Sequence, residues 1–400
     1  MEHFPIVKSL IRVALAQDSV SVRHQVERLA ASLHKAGDAD GDAVDRLLSG
    51  EARTKNLTPS RLTKSSSGRT GRDRMSRSVA VPVDRETSAP LAALVFPEDN
   101  ATRLPIFASS VSGTIDALLL EWQHQEQLTD AGLAPSLSCL IYGPPGTGKT
   151  TLALWLAKQL GLPAVVARLD GLISSFLGTT ARNLGALFDF ADRYECVLIL
   201  DEFDAIAKLR DDPNEVGEIK RVVNALLQNI DARAGRGITI GLTNHESLLD
   251  PAVWRRFEVQ LPVPLPGSAQ RIEIAKTALA TDDAGGDAEA KLLAWAAESL
   301  SGAELKTMAS KLRKQRVLSQ GRDRVPAELV AQLAMSTSSR GESGRVARLF
   351  LDGGSLTRLL ADSSDIKFSQ SELAHLLGVS TKTIGRRISG IGDEDIDHAS

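Results

Sequence analysis

One stretch limits this chain more than any other: Gly143-Pro144-Pro145-Gly146-Thr147-Gly148-Lys149-Thr150-Thr151. An apolar run, Cys139-Leu140-Ile141-Tyr142, leads into it, and a helical pattern with Leu152, Leu154, Leu156 and Leu160 leaves it. Strand, glycine-rich turn, Lys-Thr and helix together make a phosphate cradle. Glycines let the backbone wrap an anion with its N–H groups turned inward, and the helix N-terminus adds positive potential at the same point. In that arrangement Lys149 reaches the β- and γ-phosphates, and Thr150 offers a hydroxyl to Mg²⁺.

The chain's 400 residues suffice for two or three domains, and a formal net charge of −3 argues against a general polyanion-coating role. Both cysteines, Cys139 and Cys196, sit in apolar strand-like runs, which predicts buried reduced thiols of a cytosolic protein rather than a disulfide. No apolar run is long enough to span a bilayer, so the expectation is a cytoplasmic protein without a membrane partner.

Along the chain, residues 1–50 carry helical periodicity, with Ile6, Val7, Leu10 and Ile11, then Val22, Val26, Leu29 and Leu33. Residues 51–94 are expected to be a basic flexible linker and lead-in. Arg53, Lys55, Arg61, Lys64, Arg69, Arg72, Arg74 and Arg77 stand there among Ser, Thr and Gly, with few apolar groups to offset ordering entropy. Residues 95–265 alternate apolar runs with helical patterns, as in Ala164–Ala167, Cys196–Leu200, Ile238–Leu242 and Val259–Leu261. That alternation predicts an α/β domain with a parallel sheet covered on both faces. Residues 266–335 read as a helical lid, and residues 336–400 as a hinge followed by a third helical module.

The second phosphate-site element is Val197-Leu198-Ile199-Leu200-Asp201-Glu202. Asp201, at a buried strand's carboxyl end, would hold Mg²⁺, and Glu202 would orient and activate the attacking water. Asp204 is expected to be structural. Asn244 ends another predicted strand, within reach of the γ-phosphate or the water. Then follows Leu249-Asp250-Pro251-Ala252-Val253-Trp254-Arg255-Arg256-Phe257-Glu258. With the two phosphate motifs, this pattern resembles the AAA family of ring ATPases over residues 140–309.

The resemblance implies an AAA+ P-loop domain with ATP and Mg²⁺ as cofactors. It also implies a homohexameric ring in which Arg255 or Arg256 acts as a finger on a neighbour's nucleotide, the other holding an acidic residue. Ser301-Gly302-Ala303-Glu304-Leu305 matches the start of the lid helix, so Gly302 and Ala303 are expected beside adenine. Phe176-Leu177-Gly178 looks like the triplet with which AAA unfoldases grip polypeptide in the ring's channel. Asp211–Glu218 reads either as a second channel loop or as a capped helix start. By resemblance the activity is ATP-driven remodelling of a protein substrate. The chain is also similar to the ATPase half of bacterial modules paired with a subtilisin-like serine protease, which act in plasmid maintenance or phage defence.

Leu373–Ile388 resembles a bacterial helix-turn-helix. Gly378 permits the turn, Ser380 caps the second helix, and Lys382, Arg386 and Arg387 would face DNA. Asp362, Asp365, Asp393, Glu394, Asp395 and Asp397 surround it, so docking to protein and docking to DNA both remain open.

Overall fold

A computed structural model describes residues 72–389 apart from 174–176, 206–215, 281–283, 319–325, 329, 331–344 and 346–347, together with Val26, Leu33 and Val44. The chain divides into two units, residues 1–67 and 68–400. In the first, the three described positions are helical and buried.

The second unit is built on a six-stranded sheet. Its strands are β1 (Ala93–Val95), β2 (Ser138–Tyr142), β3 (Ala164–Arg168), β4 (Val197–Asp201), β5 (Thr239–Thr243) and β6 (Val259–Pro262), in the order β1-β3-β4-β5-β2-β6. Every pairing from β3 to β6 is parallel, as the continuous apolar runs predict. The addition is β1, an antiparallel edge strand with Ala93 opposite Val166 and Leu94 opposite Val165.

Alternate residues of each strand enter opposite cores. On one face Cys139, Ile141, Val197, Ile199, Ile240 and Leu242 pack with α1 (Ser109–Gln123) and α3 (Lys149–Gln159), through Ile115, Trp122, Leu152 and Leu156. Two short helices, α2 (Gln125–Asp130) after α1 and α4 (Leu169–Ile173) after β3, lie among them. The other face buries Leu140, Val165, Leu198 and Leu200 against α5 (Leu177–Arg193) and α6 (Val216–Arg233), through Leu184, Leu187 and Leu226. Leu152 and Leu156 are wholly buried, each contributing about 1.5–3 kcal/mol. Cys139 and Cys196 are both buried free thiols, and burial pushes the Cys139 thiol up to about 12, which leaves it inert.

The basic stretch is not a free tether over its last residues. Arg72 lies 3.9 Å from Asp192, Arg77 pairs with Asp99 at 2.7 Å, and the Met75 side chain is buried. Asp84, also buried, accepts hydrogen bonds from the N–H groups of Glu86 and Thr87 and from the Asn183 amide. These partners, some far along the chain, offset the entropy that composition alone leaves unopposed. Residues 53–69 lie outside the described residues.

Helices α8 (Ser268–Leu279), α9 (Ala284–Ala296) and α10 (Gly302–Leu318) form the lid. Helices α11 (Gly353–Ala361), α12 (Gln370–Leu377) and α13 (Thr381–Ile388) form the C-terminal module. The two share one apolar core, in which Ile274, Leu292, Trp295 and Leu305 lie with Leu356, Leu360, Leu373, Leu376 and Ile384. Polar bonds reinforce the junction. Arg271 reaches Asp365 at 3.3 Å, and Lys291 reaches Glu372 at 2.6 Å. Among the described residues, no helix is long and apolar enough to cross a membrane.

Candidate active site

Parallel register brings the strand ends together. It sets Arg168 beside Asp201 and Tyr142 beside Thr243. The β2–α3 turn, Asp201, Glu202 and Asn244 therefore cluster at the carboxyl ends of the strands, where open α/β sheets present their sites.

The turn is held by close approach and by left-handed backbone. A Cβ on Gly143, whose φ is 140°, would run into the carbonyl of Val263. Gly146, with φ 77°, faces Ser301 and Ala303 at the start of α10, and the Ala303 N–H donates to the Gly146 carbonyl at 3.1 Å. Thus Gly302 and Ala303 meet the cradle directly. Thr147 turns its hydroxyl back to the Pro144 carbonyl at 3.0 Å, while Pro145, Gly148 and Thr151 complete the turn and the first helical residues.

Lys149 is buried at the helix start, its Nζ donating to the carbonyls of Gly143 at 2.7 Å and Pro144 at 2.8 Å. Burial lowers its pKa to about 8, against the pull of Asp201, Asp204 and Glu246. A desolvated cation that bonds only neutral carbonyls has much to gain from a polyphosphate. One turn of hard oxygen donors lies beside it, with the Thr150 hydroxyl donating to Asp201 Oδ2 at 3.1 Å. That pair of oxygen ligands fits Mg²⁺.

Glu202 follows Asp201 with φ 57°, a left-handed backbone at a non-glycine position, and its N–H donates to Asp201 Oδ1 at 2.8 Å. Such a conformation costs on the order of 1 kcal/mol and fixes where the side chain emerges. The Arg168 guanidinium reaches Glu202 Oε1 at 3.1 Å and Asp170 Oδ2 at 2.9 Å. A hydrogen bond to Asp170, then burial and the Asp170 charge, raise the Glu202 pKa, with Arg168 opposing. Burial pushes Asp170 up, but hydrogen bonds from Glu202, the Gly171 N–H and Arg168 outweigh it and hold Asp170 low. Arg168 and Asp170 are functional candidates that sequence reasoning missed. Their only signal was a cation closing an apolar strand, and its meaning depends on the β3–β4 register.

Asn244 is half-buried just past β5, its N–H 3.4 Å from Asp204 Oδ1. Asp204 is buried and also receives the Thr243 hydroxyl, in keeping with a structural role. The two arginines diverge at the end of α7 (Pro251–Trp254), which Asp250 caps. Arg256 is bonded within the chain to Asp231 at 2.9 Å, whereas Arg255 is exposed. Phe176 lies outside the described residues. Leu177 and Gly178 open α5, three residues before the helix start expected at Thr180. Most of the Asp211–Glu218 stretch also lies outside the described residues. Lys382, Arg386 and Arg387 are on α13, in the C-terminal module.

The profile of the ATPase family associated with various cellular activities (AAA) matches residues 139–265, the span from β2 through the end of the sheet. An uncharacterized AAA family ATPase, y4kL, of Sinorhizobium fredii is 41% identical over 184 residues, which are 46% of this chain and 56% of that protein. A proteasome-activating nucleotidase of Pyrococcus furiosus is 33% identical over 202 residues, covering 49% of this chain and 51% of its own length. The chain thus spans about half the length of these curated relatives. The crystal structure of the FIGL-1 AAA domain superposes with a TM-score of 0.51 at 20% identity, covering 64% of this chain and 89% of that one. That likeness speaks to the fold alone. With the glycine turn, the Thr150–Asp201 pair and the lid contact in place on such a sheet, residues 139–265 form an ATPase domain of the AAA family.

Proposed function

We propose that this protein hydrolyses ATP at sites shared between subunits of a ring and uses the cycle to remodel or unfold a protein substrate. The observation that carries the reading is the 3.1 Å bond between Thr150 and Asp201, flanked by buried Lys149 and by Glu202. Bound there with ATP, Mg²⁺ would neutralise phosphate charge. Lys149 exchanges the Gly143 and Pro144 carbonyls for phosphate oxygens. Glu202 accepts the proton of a water whose oxygen bonds the γ-phosphorus as the bridging β–γ bond breaks, leaving ADP and phosphate. Asn244 orients that water.

The divergence of the two arginines supports a shared site. Arg256 is held by Asp231 of its own chain, so exposed Arg255 is the one able to reach a neighbour. A finger supplied in trans requires head-to-tail contacts, which close into a ring. By family resemblance the ring is a hexamer. A protein substrate is supported by a relative named for activating a proteasome, and the grip falls to Phe176, Leu177 and Gly178. The reading extends, on sequence resemblance alone, to a subtilisin-like serine protease as partner in a phage-defence or plasmid-maintenance module.

Glu202→Gln is expected to bind ATP without turning it over, and Arg255→Ala to lose about 10³-fold or more in turnover. Mixing the two variants should restore part of the activity, because mixed interfaces pair an intact Glu202 with an intact Arg255. No recovery on mixing, or wild-type turnover by Arg255→Ala, would overturn the shared site. Phe176→Ala should abolish unfolding of a fluorescent reporter protein while sparing ATP hydrolysis.

A further inference from the structure

Helix α12 opens with a capping box between Ser369 and Glu372 and ends at Gly378 in a left-handed conformation. Ser380 then caps α13 through the Thr383 N–H at 3.1 Å. Helix α11 packs on both, and Ile384 is the residue α13 sends into the core. This is a compact helix-turn-helix.

Opposite Ile384, positions 382, 385, 386 and 389 share a face at helical spacing. Lys382, Arg386 and Ser389 are exposed, and a Cβ built on Gly385 would meet nothing. The fold therefore makes no packing demand for glycine in the middle of α13, although glycine weakens a helix there. What the missing side chain provides is a bare patch of helix backbone beside the Lys382–Arg386 row, open to a close approach from outside. Arg358, whose Nε donates to the Arg387 carbonyl at 3.1 Å, extends the basic edge onto α11.

The surrounding acids do not cancel this charge. Asp365 is engaged by Arg271 and Arg345, and Glu372 by Lys291 and the capping box. Asp352 caps α11 through the N–H groups of Gly354 and Ser355. Asp362 and the capping Asp352 are the exposed acids of the module among the described residues, set against exposed Lys382, Arg386 and Arg358. The acids at 393–397 lie outside the described residues.

We infer that this module is a docking surface for duplex DNA, with α13 in the major groove, Lys382 and Arg386 on backbone phosphates, and the bare Gly385 backbone beside them allowing close approach. A regular polyanion with a groove wide enough for a helix matches both the charge and the shape.

The test is anisotropy of a labelled mixed-sequence duplex with the full-length protein, between about 50 and 200 mM salt. Binding should weaken steeply as salt rises. Lys382→Ala/Arg386→Ala should cut affinity about tenfold or more and flatten the log–log salt slope by about two, roughly 0.9 per lost phosphate contact. Gly385→Glu should also weaken binding while leaving the melting temperature near wild type. Lys306→Ala/Lys314→Ala on exposed α10 positions removes the same charge elsewhere and should bind like wild type. The inference is overturned by absence of duplex binding at the lowest salt, which would point to a protein partner. It is equally overturned if the Lys382/Arg386 variant binds like wild type, as it would were the arginines of residues 53–77 responsible.

Discussion

Glu202 donates to Asp170 when protonated, and that bond, with burial and the Asp170 charge, outweighs the opposing Arg168, so its carboxyl holds a proton to higher pH than an isolated glutamate. A base must be deprotonated to act, so turnover should fall on acidification through a value raised above that of a free glutamate. Replacing Asp170 with asparagine removes the like charge and leaves Arg168 to Glu202 alone. Both changes favour the ionised form, so the acid limb of kcat against pH should move to lower pH. An unmoved limb would take Glu202 out of the titration. At this scale the sequence disclosed residue identities but not pairings. The grouping of Lys149, Thr150, Asp201 and Glu202 was legible because it follows from local spacing at two strand ends. The Arg168–Asp170–Glu202 chain was not, because strand register decides which side chains meet across β3 and β4.

At the scale of elements, α13 offers a clean case. Gly385 is interior to an eight-residue helix and a methyl group there has open space, so Gly385→Ala should stabilise the fold by about 0.5–1 kcal/mol. Chemical denaturation reads this directly, and a loss of stability would mean that the position is packed after all. The central strands and the helices that flank them were legible from apolar runs and helical periodicity. Strand β1 was not. It has three residues, and only its pairing with residues 164–166 makes it a strand. The docking of Arg72 and Met75 escaped notice for the same reason. Composition reports what a segment lacks locally, and Asp192 is a distant partner.

For the whole molecule, the decisive finding is that lid and helix-turn-helix are one folded body. Asp365 joins them, receiving Arg271, whose side chain is almost wholly buried, and Arg345. Arg271 keeps its bonds to the carbonyls of Ala294, Pro266 and Glu298. Asp365→Ala should therefore cost about 1–3 kcal/mol rather than the full penalty of an orphaned buried charge. The loss should appear as a lower denaturant midpoint within a single transition. Two separated transitions, one for each set of helices, would contradict the shared core. Composition hid this union, since the stretch between α10 and α11 reads as a hinge and the apolar faces on either side give no hint that they meet. The Ala303–Gly146 contact gives the union a mechanical meaning. Whatever immobilises α13 also immobilises the piece that leans on the nucleotide turn, so for a protein moored to a long polymer the swinging part would be the sheet and its turn, with the polymer as their fixed post.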